Sequence, residues 1–425
     1  MSSRDRPLRT CGIYRNLPEF GPSVSGLTAI ICGATGVSGF HALRALLSSP
    51  RWSRIFILSR SPLSSTARSF LSNEQLFRTT YVSVDLLSSA ETISQKLSEA
   101  KVKADYVFYY AYLQPVTNGM SADVAQDLIN VNVPMFRNLL DALPLANTTP
   151  KRILLQTGGK NYGVHAGRGR TPLVESDPQP RLIADNFYYH QEDLLKAFCE
   201  KHPGTSWNVI RPMGIIGAVA NSPLNGYTCF GVYAAVQAHK GEPLEFGGNL
   251  DAWQTEQMHS SARLTGYLSE WAVLEPECAN QAFNALDGTT LSWDRLFEAF
   301  ASWWGVSKGV VGPDLDESKY RTDLSLGGGD ANPLGYGPPV NEDAWVEMMA
   351  KSDGKLTWNP FKDKDANFMG DFGYIVCGTP SASKTRRFGY NGFVDTLESL
   401  HEMYLECERF GMLPKMSQAK AQPLI

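Results

Sequence analysis

A doubly wound parallel α/β sheet with a smaller C-terminal domain is the fold this chain of 425 residues predicts. Two observations carry the expectation. Apolar runs of strand length alternate with helix-length segments as far as Pro212, the rhythm of a parallel sheet. A glycine-rich turn, Gly33-Ala-Thr-Gly-Val-Ser-Gly39, joins the first of these runs to the helical stretch Phe40-His-Ala-Leu-Arg-Ala-Leu-Leu47. Taken in order, residues 1–26 are a leader punctuated by Pro and Gly. Strands are predicted at 29–32, 55–58, 81–84, 106–110, 153–156 and 207–210, with helices at 93–99, 124–143 and 187–199. Beyond Pro212 the pattern loosens into Pro-, Gly- and aromatic-rich segments, interrupted by a helix-like return at 262–271 and an apolar run at 281–286.

The glycine turn has a direct chemical reading. Glycines let the backbone turn tightly and approach phosphates, while the unpaired amides at a helix start donate to them, so a dinucleotide pyrophosphate binds at such a place. Gly33, Thr35, Gly36, Val37 and Gly39 are the candidate contacts. The second strand ends in Ser59-Arg60, about twenty residues after the last glycine. An acid there would bond the ribose 2'-hydroxyl of NAD; Arg60 offers a guanidinium to a 2'-phosphate instead, so NADPH/NADP is the expected cofactor. The Rossmann domain is then expected over 27–212 plus about 254–288, and a substrate-binding domain over 213–253 plus 289–425, with an insertion around 306–366. Within that insertion, the Gly- and Pro-rich run 327–339 cannot hold regular structure and is either a mobile lid or an idle insertion.

Composition narrows the class. A net charge of -4 leaves no footprint for nucleic acid or an acidic membrane. No apolar stretch approaches a membrane span, and Met1-Ser-Ser-Arg-Asp-Arg lacks the apolar core of a signal peptide, so a soluble cytoplasmic protein is expected. The 7 cysteines are scattered without a Cys-x-x-Cys pair and read as reduced thiols, with no metal site.

Short-chain dehydrogenases usually carry Tyr-x-x-x-Lys, in which one helical turn sets the lysine beside the phenol. None of the 17 tyrosines here is followed four residues later by lysine; Tyr188 meets Glu192 and Tyr189 meets Asp193. A replacement lysine stands in Gln156-Thr-Gly-Gly-Lys160-Asn-Tyr162, at the C-terminal end of the fifth strand, where active-site groups collect in open α/β sheets. The pairing of Thr157-Gly-Gly-Lys160-Asn-Tyr162 with Asn186-Phe-Tyr188-Tyr-His-Gln-Glu-Asp193 resembles the progesterone 5-beta-reductase and iridoid synthase-like (PRISE) family of extended short-chain dehydrogenases. Further matching stretches run along nearly the whole chain, among them Asn132-Val-Pro-Met-Phe-Arg-Asn138, Arg211-Pro212, Phe283-Asn284 and Asn391-Gly-Phe-Val-Asp395; the leader and the Pro50-Arg-Trp52 turn look most like fungal members.

The resemblance implies catalytic roles for Lys160 and Tyr188 and conjugate reduction of an activated alkene, an enone or enal on a small hydrophobic carbonyl compound, in secondary metabolism. It further implies that Asp85 and Leu86 face the adenine, that Ala111 and Tyr112 flank the ribose and nicotinamide, and that Ile215 and Ser222 hold the carboxamide and pyrophosphate side. Gln156 belongs to the same expected cofactor shell. On their own residues these readings keep alternatives: Asp85 is equally a turn cap, Tyr112 a core aromatic, and Asn132 either a support for the active-site loop or a plain helix hydrogen bond. Departures from the family pattern surround the expected pocket. Met213-Gly214 stands where plant reductases usually carry Gly-Asn, and His259-Ser-Ser-Ala262 replaces Ser-Asp-Ala. Direct carbonyl reduction, and an isomerase, cyclase or sensor that holds the cofactor without net hydride transfer, are the alternative functions; a homodimer is one option for assembly.

Overall fold

The computed structural model describes residues 6–115, 122–164, 169–183, 185–220, 225–246, 250–313, 341–363, 367 and 378–423. Ser222, Cys377 and the 327–339 run lie outside them. Seven parallel strands form the central sheet: β1 Leu27–Cys32, β2 Trp52–Ser59, β3 Thr79–Ser83, β4 Tyr106–Tyr109, β5 Arg152–Gln156, β6 Ser206–Pro212 and β7 Gln281–Ala285. Their spatial order is β3-β2-β1-β4-β5-β6-β7, so the winding reverses between β1 and β4. The apolar run predicted at 281–286 is thus the seventh strand, returning beside β6 from beyond Pro212.

Burial on both faces explains the apolar runs. Alternate residues of a strand face opposite sides, and Ala29 and Ile31 of β1 join one core while Ile30 and Cys32 join the other. The first core is covered by α1 (Val37–Leu47) and by α6 (Ala262–Leu274), through Phe40, Leu43, Leu268 and Trp271. The second is covered by α2 (Ala90–Glu99), α3 (Ala122–Leu145) and α4 (Phe187–Lys201), through Ile93, Phe136, Leu139 and Leu195. A third, aromatic core lies apart from the sheet, where α5 (Thr228–Lys240), α7 (Trp293–Trp304) and α8 (Thr396–Arg409) bring Phe230, Trp293, Phe297, Phe300, Trp303 and Tyr404 together. Among the described residues no helix is long and apolar enough to cross a membrane, and the cysteines are free thiols.

The leader differs from expectation. Leu8–Cys11 and Tyr14–Pro18 pair as an antiparallel hairpin, and Tyr14, Leu17 and Phe20 are buried in the first sheet core. Tyr14 Oη donates to Glu402 at 2.7 Å and Arg15 Nη2 to Glu398 at 2.9 Å, both on α8. The hairpin clasps the C-terminal helix to the sheet, a role that short-range periodicity cannot show because its partners lie almost four hundred residues away.

A second clasp sits just beyond β7. Asp287 is fully buried; its Oδ1 accepts from the Ser261 amide at 2.6 Å and its Oδ2 from Ser261 Oγ at 2.8 Å and Thr396 Oγ1 at 3.4 Å. Ser261 is the N-cap of α6 and Thr396 opens α8. Burial nevertheless pushes the Asp287 carboxyl up to about 7, against the pull of these donors. The native state therefore keeps a proton that the unfolded chain has lost, so this group's contribution to stability falls as pH rises from about 4 to about 7 and is level beyond. Asp287→Asn keeps the shape without the titration. Its melting temperature is expected to gain on wild type across that window, by at most about 1.4 kcal/mol of stability per pH unit. Calorimetry at several pH values checks it, and a pH-independent difference between the two proteins would refute it.

Candidate functional site

The C-terminal ends of β1, β4, β5 and β6 gather most of the predicted residues. Gly33 takes φ +81°, and a Cβ there would lie 2.7 Å from the Ala111 amide nitrogen; a Cβ on Gly39 would lie 2.3 Å from the Gly33 carbonyl oxygen. Side chains are excluded at both places because the turn is pressed between the end of β4 and α1. Gly36 is the N-cap of α1, which has no side-chain cap and no acid in its first turn, so the first helical amides stay available to an anion. Thr35 is exposed and Val37 half-buried beside them.

Gln156 Nε2 donates to Ser38 Oγ at 2.8 Å and so ties the end of β5 to the first turn of α1. Gln156 Oε1 and the neighbouring Thr157 Oγ1 are buried with no hydrogen-bond partner. Buried polar atoms normally have one. Two orphans between the glycine turn and the Lys160 loop are what a polar ligand would satisfy, and with the bare helix start they fit a dinucleotide.

On the β2 and β3 side the contacts are more ordinary. Ser59 Oγ donates to the Ser61 carbonyl at 2.7 Å, and Arg60 is exposed, its carbonyl accepting from Tyr81 Oη at 3.0 Å. Asp85 is exposed and its Oδ1 caps the Leu87 amide at 3.0 Å, which is the turn-cap role. Leu86 is buried, its carbonyl held by Asn138 Nδ2 at 3.1 Å. Asn132 makes a helix hydrogen bond to the Leu128 carbonyl at 3.1 Å and also clamps Leu113 N and O, in the loop after β4, at 2.9 Å each. The Ala111 and Tyr112 loop is therefore fixed by α3. Ile215 pairs with Ser260 on the short strand after β6.

The turn that carries Lys160 and the Tyr188 phenol meet at Gly158 from different elements. Lys160 sits on a single 3-10 turn, Gly159–Tyr162, that follows β5, and burial lowers its ammonium pKa. Tyr188 is in the first turn of α4, whose N-cap Asn186 accepts from the Tyr188 amide at 3.0 Å. A Cβ on Gly158 would lie 3.4 Å from Tyr188 Oη and 3.3 Å from the Pro212 carbonyl oxygen, so the phenol hangs over the glycine two residues before Lys160, at the ends of β5 and β6. Desolvation pushes the phenol up to about 12, which keeps it a donor at neutral pH. Around it, the Phe187 ring lies 4.3 Å from Tyr188 and 5.8 Å from Tyr112, building an aromatic wall. Met213 packs against the Lys160 turn, its Cγ 2.9 Å from where a Gly159 Cβ would be and its side chain on the Tyr162, Val164 and Leu173 cluster.

Two supports were not foreseen. Tyr189 is fully buried and its Oη donates to the Lys160 carbonyl at 3.3 Å. His41, on α1, bonds the Ala218 carbonyl at 3.1 Å and props the loop after Ile215. The only local signal for either was adjacency to a named motif.

A seven-stranded parallel sheet, a glycine turn at the switch in winding and a tyrosine and lysine at the strand ends define a Rossmann-fold protein of the short-chain dehydrogenase/reductase class. The model for the PRISE-like Rossmann-fold domain matches residues 29–321, and the chain belongs to that family. It is 27% identical to the short chain dehydrogenase gsfE of Penicillium aethiopicum over 91% of this chain and 99% of the relative. It is 30% identical to (S)-8-oxocitronellyl enol synthase CYC2 of Camptotheca acuminata, over 75% of this chain and 77% of the relative. A 3-oxo-Delta(4,5)-steroid 5-beta-reductase of Arabidopsis thaliana is 27% identical over 79% and 80% of the two chains.

Proposed function

We propose that this protein is an NADPH-dependent reductase of an activated C=C bond in a small hydrophobic carbonyl compound. The observation that carries the reading is the Tyr188 phenol suspended over Gly158, at the mouth of the turn that presents Lys160. The names of the relatives, an enol synthase and a steroid 5-beta-reductase, support it. In this reading Gly33, Gly36, Gly39 and the start of α1 hold the pyrophosphate, Arg60 the 2'-phosphate, and the orphaned Gln156 Oε1 and Thr157 Oγ1 polar groups nearer the nicotinamide. When bound, NADPH supplies the hydride to the carbon beta to the carbonyl.

The chain's own residues handle the charge that results. Negative charge grows on the carbonyl oxygen, and Tyr188 Oη donates a hydrogen bond to it from a rigid helix start, where no reorganisation is needed. Lys160 places positive potential beside the phenol and cofactor ribose, which favours the enolate. Tyr112, Phe187 and Met213 supply an apolar wall, and a drier pocket strengthens both effects.

Incubation with 4-deuterated NADPH and a small enone panel tests this. The expected product is the saturated carbonyl compound with deuterium at the beta carbon. Label at the carbinol carbon would mean carbonyl reduction, and a rearranged product without label would mean an isomerase or cyclase; either result overturns the proposal.

A further inference from the structure

Tyr188 and Glu192 are four residues apart on α4 and so share one face. Where the usual motif of the class carries lysine, this chain carries a carboxylate, and it is 2% exposed. Its buried partner is Arg211 of β6, 5% exposed, whose Nη2 reaches Glu192 Oε1 at 3.1 Å and Oε2 at 3.3 Å, while the more exposed Lys196, one turn on, lies 3.5 Å from Oε2. Arg211 Nη1 also donates to Tyr162 Oη at 3.3 Å and to the Glu175 carbonyl at 3.3 Å, and its guanidinium lies 5.2 Å from the Tyr162 ring centre. Tyr162 Oη in turn donates to Asn284 Oδ1 at 2.6 Å. Asn161, also buried, completes the group: with its amide nitrogen toward the carboxylate, it donates to Glu192 Oε1 at 3.0 Å and accepts from Arg211 Nη2 at 3.0 Å.

Asn161 and Tyr162 are the two residues directly after Lys160 in the same turn. Both are gripped from below by one ion pair, and the Lys160 carbonyl is held from the side by Tyr189. A turn this short has little internal hydrogen bonding of its own, so outside contacts set its position.

We propose that the buried Glu192–Arg211 pair is the positioning device of the site, seating the Gly159–Tyr162 turn so that Lys160 is held beside Tyr188. This rests on the reductase reading for its consequence in turnover, but not for its geometry. A buried ion pair contributes little net stability, and replacing both members with apolar residues is often tolerated, whereas removing one leaves an unpaired buried charge. The informative variant is therefore the double change Glu192→Met with Arg211→Met, together with Asn161→Ala, which cuts the link and keeps the pair.

Two readouts are needed. The first is the rate at which Lys160 is acylated by acetic anhydride, read by peptide mass spectrometry, which requires no substrate. Both variants are expected to label several-fold faster than wild type, because a released turn exposes the ammonium. The second is enone turnover, expected to drop tenfold or more in kcat while KM for NADPH changes little. Wild-type labelling in a folded Asn161→Ala or double variant overturns the proposal. Should wild type reduce no enone, faster labelling in the variants still supports the positioning role and places the failure in the functional reading alone.

Discussion

Tyr188→Phe is expected to reduce conjugate reduction by about ten- to a thousandfold, the range for removing one donor to a developing oxyanion. The ring and its contact with Phe187 survive the change, so melting temperature and NADPH binding stay near wild type. Lys160→Met removes the positive charge from a half-buried position and is expected to fall in the same range. Tyr189→Phe loses only a 3.3 Å bond to the Lys160 carbonyl and is expected to be much milder. Stopped-flow turnover and a titration with NADPH separate these cases. Full activity in Tyr188→Phe would remove the phenol from the chemistry.

The second large effect concerns cofactor choice. Arg60→Asp is expected to weaken NADPH binding about tenfold or more, the loss of one or two charge-assisted bonds to the 2'-phosphate, with little change for NADH. Arg60 is exposed and its side chain is not needed by the fold, since its structural contact is the carbonyl that Tyr81 uses. Equal affinity of wild type for NADH and NADPH, measured by fluorescence titration, would overturn the assignment.

Much of the sheet was legible because its cause is local. A strand buried on both faces reads as an apolar run, as the cores of β1, β2, β4 and β5 do, whereas β3 at the sheet edge, Thr-Thr-Tyr-Val-Ser, is largely polar and half-exposed. The glycine turn was legible for a similar reason: φ +81° at Gly33 and the contact of Gly39 with the Gly33 carbonyl arise within one short loop. Lys160 was found by its place at the end of β5, and Tyr188 by the Asn-Phe-Tyr-Tyr run whose Asn186 caps α4. The 327–339 run and Ser222 lie outside the described residues, so the lid expectation stands as it was.

What stayed hidden depends on which distant elements become neighbours. The N-terminal hairpin reads as a loose leader until α8 is placed against it, and nothing local marks Asp287 as the acid over which two helix starts close. Gln156 spends its amide nitrogen on Ser38, 118 residues away, and leaves its Oε1 without a partner, a division that no local pattern shows. The sequence by itself determined the alternation of strands and helices and the glycine turn, and it nominated Arg60, Tyr188 and Lys160 as candidates, because each signal is encoded within a few residues of its own position. Only the tertiary structure decided which groups contact the turn that carries Lys160. Glu192 and Arg211 sit on different elements, 19 residues apart in the chain, and become partners because α4 packs over β5 and β6; a buried charge finds its counter-ion through the path of the whole chain.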